Sequence, residues 1–487
     1  MLTYVVAFGL AFAIATALTP VVRNLALRYG LVDARSSRKV HEKPIPRLGG
    51  LAIVIGFYAP LVGLAIYHNS ISQLLYADRL RVAGFFAGGI FIAALGLYDD
   101  LKGANARQKF AAQFIVAAVM YALGFHVDAI ANPFGSPLQF GVLGFPITLV
   151  WIVGVINALN LIDGLDGLAS GVAFFAVATN FLVAFVRGDI LMSLLMVALA
   201  GAILGFLLFN FNPASIFMGD TGSMFLGFIL ATSSIVTSQK GATAVAMLVP
   251  ILALGLPIMD TLLAMLRRFI TGRPMFSADK EHIHHKLMAL GYTHRRAVLG
   301  MYVICVFFTL ASLGIMFANA PQAALILAVV GAVVFVLMRR LGYLDLQRVA
   351  EVGVTRRKNL AVRSAINSIS EQLRNAANAE AIWASVQAIG EPLAVTMLEL
   401  KLLTPGSESK GFTLSRSPLS PRAIEAVVPV EADGVSHGEL RACWTDGRNE
   451  IGRDDELALE LLADHIRQAA KRIETEREGK PLRLVVR

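Results

Sequence analysis

Cysteine is almost absent: Cys305 and Cys443 are the two in 487 residues, and they lie in unlike regions, which excludes a disulfide framework. Charge is scarce as well. Asp, Glu, Lys and Arg make up 16% of the chain against 56% hydrophobic residues, with a mean hydropathy of +0.65. That excludes an ordinary soluble protein and indicates a polytopic membrane protein. Neither a Walker loop GxxxxGK[ST] nor a kinase-type Gly-rich loop occurs, so those two nucleotide sites are excluded. The N-terminal MLTYVVAFGLAFAIATALTP lacks a basic n-region and a small-residue cleavage site. Arg23 and Arg28 follow its apolar run, so it reads as a retained span with its N-terminus outside.

What is present is a run of apolar windows with polar chain between them. Windows of about 20 residues predict eleven spans, at 2–22, 48–67, 80–98, 108–125, 144–162, 167–186, 190–208, 222–238, 242–265, 297–317 and 321–338. Lys and Arg outnumber Asp and Glu by 43 to 34, net +9. In such a chain the excess points to loops facing anionic lipid or to anionic substrates, not to nucleic acid. Two loops carry most of it: Arg28, Arg35, Arg38, Lys39, Lys43 and Arg47 in the first, and Arg267 to Arg296 in another. The positive-inside rule makes both cytoplasmic. Alternation then places 99–107, 157–166, 209–221 and 339–487 inside too. Every chemically suggestive stretch falls on that one face.

The central stretch is NALNLIDGLDGLASG, residues 157–171. Asn157, Asn160, Asp163 and Asp166 recur every third residue and drift round one side of a helix, until Gly164 and Gly167 loosen it. Hard oxygen donors at a membrane edge suit Mg²⁺ and the phosphates it carries; a helix end followed by an Asp-Gly turn is the plainer alternative. Asp99 and Asp100, in LYDDLKG, are adjacent carboxylates at a span end that need a cation, either a divalent ion or Lys102. In FNFNPASIFMGDTGS, Asp220 stands beside glycines that admit phosphate oxygens to backbone N–H groups, or serves as a helix cap. The loop GRPMFSADKEHIHHKLMALGYTHRRA sets His282, His284 and His285 among Arg273, Lys280 and Lys286. With no cysteine nearby this suits diphosphate recognition better than zinc. Lys39, His41 and Arg47 form a further basic patch in RKVHEKPIPRLGG.

Residues 339–487 differ in kind. A helical stretch near 344–389 leads to the strand-like runs PLAVTMLELKLL, AIEAVVPVEA and GELRACW, then to an amphipathic helix at 453–475. The expected organisation is a transmembrane domain over 1–340, a helical linker over 341–390 and a cytoplasmic α+β domain over 391–487 whose helix–strands–helix order resembles a GAF domain. That extension is expected to regulate the membrane domain or to bind an unknown ligand or protein partner. The fold class as a whole is an all-α polytopic membrane protein carrying this α+β extension.

Carboxylates for Mg²⁺ and basic groups for phosphate are the parts that phosphoryl transfer needs. At a membrane edge, one substrate is a lipid and the other soluble. From about residue 33 to 296 the chain resembles the polyprenyl-phosphate N-acetylhexosamine-1-phosphate transferases, with RKVHEKPIPRLGG, LYDDLKG, NALNLIDGLDGLASG, FNPASIFMGDTGS and SADKEHIHHKLMALGYTHRRAV in the family's order. Arg35 departs from a frequent proline. The resemblance implies transfer of a sugar-1-phosphate from a UDP-N-acetyl sugar to undecaprenyl phosphate at the inner face of a bacterial plasma membrane. UMP is released, Mg²⁺ is required (Mn²⁺ an alternative), and a homodimer is compatible. The HIHH pattern resembles the WecA/TagO-like branch that uses UDP-N-acetylglucosamine; other UDP-N-acetyl sugars, the muramoyl-pentapeptide included, are the alternatives. It further implies Asp99 and Asp100 as catalytic residues at the lipid phosphate, one of them a candidate base, Asn160 and Asp220 at the metal with catalytic Asp163 close by, Asn157 and Asp166 at the nucleotide, and the three histidines at the diphosphate or sugar. Both direct attack by the lipid phosphate and a two-step aspartyl-phosphate route remain open.

Three rivals fare worse. A CDP-alcohol phosphotransferase needs Ala-Arg two residues after its Asp-Gly pair, whereas Leu168, Ala169 and Ser170 follow Asp166-Gly167. An ion-coupled transporter needs ionisable residues near the bilayer midplane and in repeated halves; here the clusters sit at span ends on one side, with no evident repeat. A sensor with an inactive membrane region does not account for an intact set of metal-type ligands.

Overall fold

A computed structural model describes residues 1–32, 45–66, 73, 78–130, 138–239, 247–272, 282–343, 347–403, 410–416, 423–432, 435–448 and 451–477. Lys39, His41 and Arg273 lie outside the described residues. The chain forms two compact units, one of Met1–Met265 with Ala278–Leu344 and one of Leu266–Ser277 with Asp345–Arg487.

The first unit is a helix bundle: α1 (Leu2–Arg28), α2 (Gly50–Ile66), α3 (Arg79–Lys102), α4 (Ala106–Ala122), a short hairpin β1 (Ala129–Ile130) and β2 (Leu138–Gln139), α5 (Gly144–Ile162), α6 (Leu168–Val186), α7 (Ile190–Asn210), α8 (Gly219–Gln239), α9 (Leu248–Ala253), α10 (Gly255–Thr271, whose residues from Leu266 on belong to the second unit), α11 (Ile283–Ala289), α12 (His294–Phe317) and α13 (Ala320–Arg340). Among the described residues, 8 helices are long and apolar enough to cross a membrane: α1, α3, α5 to α8, α12 and α13. The windows expected at 48–67, 108–125 and 242–265 take the form of shorter helices, α2, α4 and the pair α9–α10. The last window is broken for a definite reason. Pro257 cannot donate a backbone hydrogen bond, and its ring would clash with the carbonyl four residues back, at Ala253 where α9 ends.

Helix α8 is the axis of the bundle, packed on by α2, α3, α5 and α6. It is buried on all sides, the expected fate of a helix without a polar face. Its Ser/Thr run stays satisfied because Thr232, Thr237 and Ser238 donate to carbonyls four residues back and Ser233 and Ser234 to carbonyls three back. Ser234 Oγ also accepts from Trp151 Nε1 at 3.1 Å. So the N-terminal end of α8, where Asp220 sits, is fixed in place.

The second unit contains α14 (Gln347–Leu373), α15 (Ala379–Val386), β3 (Met397–Leu402), β4 (Lys410–Ser415), β5 (Ile424–Ala432), β6 (Val435–Trp444) and α16 (Arg453–Arg477). Its antiparallel sheet has the order β4-β3-β6-β5, with Leu400 opposite Leu440. Leu398, Leu400 and Leu402 alternate inward, as a strand with one buried face requires. They share a core with Ile366 and Ile369 of α14 and Leu459, Leu462 and Ile466 of α16. The small sheet expected from the three strand-like runs is therefore present, flanked by helices.

Candidate active site

The polar ends of α3, α5 and α8 meet at the start of α4. Gly103, in a left-handed conformation, ends α3, and a capping box between Asn105 and Gln108 starts α4 at once. This tight reversal carries Lys109 back over the end of α3. Its Nζ lies 2.9 Å from Asp99 Oδ2 and 2.8 Å from Asp220 Oδ2. The cation beside the Asp pair is thus Lys109 and not Lys102, whose ammonium lies over the Tyr98 ring. Asp99 also accepts from Ala104 N at 2.6 Å. From α5, Asn160 Nδ2 donates to Asp220 Oδ1 at 2.9 Å and to Ser223 Oγ at 3.0 Å. Asp220 is the hub, reached from α4 and α5 together.

Asp100 is placed differently from its neighbour. Its Oδ1 accepts from Asp220 N at 2.9 Å; its Oδ2 accepts from Thr221 N at 2.9 Å and Thr221 Oγ1 at 2.6 Å. A carboxylate from α3 therefore caps the N-terminus of α8, satisfying N–H groups that a helix start leaves open and favoured by the helix dipole. Glycine makes the approach feasible. A Cβ on Gly219 (φ +70°) would lie 2.2 Å from Arg47 O and 2.6 Å from Asp100 Oδ2, and one on Gly96 would lie 2.4 Å from Asp220 O. Gly219→Ala combines a left-handed conformation costing an L-residue about 1–2 kcal/mol with a clash against backbone. The expected result is at least a tenfold loss of turnover per folded molecule, checked by assaying monodisperse protein.

Arg47 joins the cluster through backbone pairing: Phe217 N donates to Pro46 O at 2.8 Å, and Gly50 N to Met218 O at 2.8 Å. At the end of α5, Asp163 feels too much negative charge. Burial first, then Asp220, Asp100 and Asp166, push its pKa up to about 8, with Arg47 opposing. Among the described residues no three His, Cys, Asp or Glu side chains stand as a ready-made metal cage.

The other sequence-selected residues divide. Asp166 is buried, and its Oδ2 accepts from Asn212 Nδ2 and Ala214 N, each at 3.0 Å, while its N–H donates to His294 Nε2 at 2.9 Å. It pins the turn between α7 and α8. Asn157 lies deeper and donates to Gln113 Oε1 at 2.6 Å and Val153 O at 2.7 Å. The histidine element does reach the Asp-Gly loop, since a Cβ on Gly164 would lie 2.8 Å from His284 Nε2. His282 Nδ1 is 2.8 Å from Asp260 Oδ2, and Asp260 Oδ1 accepts from Ile283 N at 2.8 Å. His284 differs from a free histidine. Burial, and then His285 with its ring 4.2 Å away, lower its pKa to about 3, so it is a neutral imidazole. Lys109, Thr221, Ser223, Asp260 and His294 were not legible as site residues; only Asp260, a lone carboxylate in an apolar window, carried a signal.

Similarity to known proteins bears on this arrangement. The profile of glycosyl transferase family 4 matches residues 82–238, from α3 to α8, and so contains Asp99, Asp100, Lys109, Asn160, Asp163 and Asp220. A Bacillus subtilis (strain 168) protein named as a probable undecaprenyl-phosphate N-acetylglucosaminyl 1-phosphate transferase is 39% identical over 314 residues, 64% of this chain and 85% of that protein. The chain belongs to glycosyl transferase family 4. Within the family, the decaprenyl-phosphate N-acetylglucosaminephosphotransferase of Mycolicibacterium smegmatis is 38% identical over 355 residues, covering 68% of this chain and 87% of its own length. The undecaprenyl-phosphate alpha-N-acetylglucosaminyl 1-phosphate transferase of Escherichia coli (strain K12) is 30% identical over 302 residues, 60% of this chain and 78% of its own. The first unit thus carries the carboxylate cluster inside the segment that defines the family.

Proposed function

We infer that the carboxylate cluster transfers N-acetylglucosamine-1-phosphate from UDP-N-acetylglucosamine to undecaprenyl phosphate and releases UMP, starting a lipid-linked glycan. The observation that carries this reading is Asp220, held by Lys109 and Asn160 at the fixed end of α8, together with the names of the family relatives. An oxygen of the lipid phosphate attacks the β-phosphorus. The bond from that phosphorus to the bridging oxygen breaks, and UMP leaves with the electron pair. A phosphate monoester is already largely ionised near pH 7, its second pKa being about 6, so no base is required. Both Asp100 oxygens are committed to α8, which favours direct attack over a covalent Asp100 intermediate. On this reading Lys109, held between Asp99 and Asp220, neutralises charge on the phosphates, and His284 serves as a neutral hydrogen-bonding group.

The donor set fits Mg²⁺: hard carboxylate oxygens of Asp163 and Asp220 with the Asn160 amide, few enough that substrate phosphate and water complete the shell. When bound, the ion neutralises charge developing on the transferred phosphoryl group. On the same reading the chain crosses a bacterial plasma membrane about eleven times with the cluster and residues 339–487 cytoplasmic, and its GAF-like extension takes a regulatory ligand or partner.

The sign of the pH dependence follows from Asp163. Its folded-state pKa is raised, so the metal-free fold holds a proton there that the unfolded chain has released, and this contribution to stability declines as pH rises from about 4 to about 8. Asp163 would hold Mg²⁺ only once that proton has left. Apparent Mg²⁺ affinity is expected to weaken by up to about tenfold per pH unit below 8, as Mg²⁺ titrations of turnover at pH 6, 7 and 8 would reveal; a flat profile opposes the assignment. The function itself is tested with a panel of UDP-N-acetyl sugars and undecaprenyl phosphate. Lipid-linked product from UDP-N-acetylglucosamine, absent with EDTA, supports it, whereas product only from another sugar moves the specificity.

A further inference from the structure

At the opposite end of the bundle the helices line a half-open cavity of about 390 Å³. It is bounded by the start of α3, the end of α6, the start of α7 and the end of α8. Along α8 the 17 residues from Asp220 to Thr237 span about 26 Å, so this cavity is separate from the carboxylate cluster. Its walls are apolar, with Phe85, Phe125, Met192 and Leu195 among them, and its charged lining is two guanidinium groups, Arg81 and Arg187, with two carboxylates, Asp78 and Asp189, which accept from Arg81 N and Met192 N at the starts of α3 and α7.

Both arginines are held by other segments. Arg81 Nη2 donates to Gly124 O at 2.9 Å and to Gln239 Oε1, and the guanidinium lies 4.7 Å from the centroid of the Phe125 ring. Its Nε–H is buried with no hydrogen-bond partner among the described residues. Arg187 Nη1 donates to Thr237 O at 2.5 Å. A guanidinium carries five N–H donors in a planar fork suited to phosphate oxygens, and these bonds use a minority of them. An unmet buried donor costs free energy unless a ligand or water satisfies it.

We propose that this cavity is a second binding site, for the phosphate headgroup of a membrane phospholipid. Arg81 and Arg187 take the phosphate, and the aromatic and aliphatic walls take the first carbons of the chains. The position is where such a ligand resides, since helix ends in a membrane protein lie at headgroup depth. The volume is that of a small-ligand pocket, and charge-assisted bonds to phosphate are strong in apolar surroundings. Arginines acting only as interfacial anchors would need no cavity between them.

The test uses the purified full chain in detergent and three probes: dihexanoyl phosphatidylglycerol, dihexanoylglycerol, which lacks the phosphate, and inorganic phosphate, which lacks the chains. The phospholipid is expected to bind saturably and raise the unfolding midpoint, with the other two inactive at the same concentration. Arg187→Gln should weaken that binding about tenfold. Leu195→Trp keeps both arginines, fills the cavity and should weaken it comparably; it also keeps the test decisive where Arg187→Gln does not fold. Phospholipid affinity unchanged in Leu195→Trp overturns the proposal, and so does inorganic phosphate or the neutral diglyceride matching the phospholipid.

Discussion

Asp220→Asn should lower turnover by about a thousandfold while leaving the protein folded. Asp220 has Lys109 Nζ at 2.8 Å on one oxygen and Asn160 Nδ2 at 2.9 Å on the other, on a helix buried along most of its length. The amide occupies the same volume, keeps an acceptor for Asn160, and leaves Lys109 its bond to Asp99. What disappears is one negative charge at the meeting point of three helices, and with it the strongest hard-oxygen donor for a divalent ion. The loss should therefore fall on kcat and on Mg²⁺ dependence, with the unfolding midpoint moving by only a few degrees. A variant with near-normal kcat would remove Asp220 from the chemistry.

Asp100→Ala should behave in the opposite way, as a stability defect that also stops activity. The wild-type carboxylate receives three hydrogen bonds from the start of α8, and Thr221 is fully buried. Deleting it leaves two N–H groups and a hydroxyl without their acceptor, at about 1–3 kcal/mol for each unsatisfied donor. A total near 3–5 kcal/mol corresponds to a midpoint lower by about 10 °C. Asp100→Asn should be milder, because its amide oxygen can still take the Thr221 donors although its NH₂ then faces Asp220 N–H. The expected order of midpoints is wild type, Asn, Ala. If both variants melt like wild type yet are inactive, Asp100 acts on the substrate and not as a cap.

The two aspartates show what was legible in the sequence. Oxygen-bearing residues at the ends of apolar runs announced a site, because a membrane tolerates them only where something compensates them. Asp99, Asp100, Asn160, Asp163 and Asp220 do gather, and α5 and α6 end within a residue or so of the expected windows. What could not be read was which partner each would take. Asp100 and Thr221 are 121 positions apart, and no local spacing encodes that bond. Lys109 lies inside an apolar window, and no local spacing ties it to Asp99 or Asp220. Asp166 was grouped with its neighbours by a three-residue period, yet the turn at Gly167 sends it to Asn212 and Ala214. Burial, invisible in a sequence, makes His284 neutral.

The most direct test of the central claim follows the phosphorus. Purified full-length protein is given undecaprenyl phosphate, Mg²⁺ and UDP-N-acetylglucosamine labelled at the β-phosphate, and both the lipid fraction and the released nucleotide are analysed. Attack at the β-phosphorus predicts label in the lipid, UMP in equal amount, and loss of both in Asp220→Asn. Release of UDP with unlabelled glycolipid would mean attack at the sugar carbon and would contradict the account.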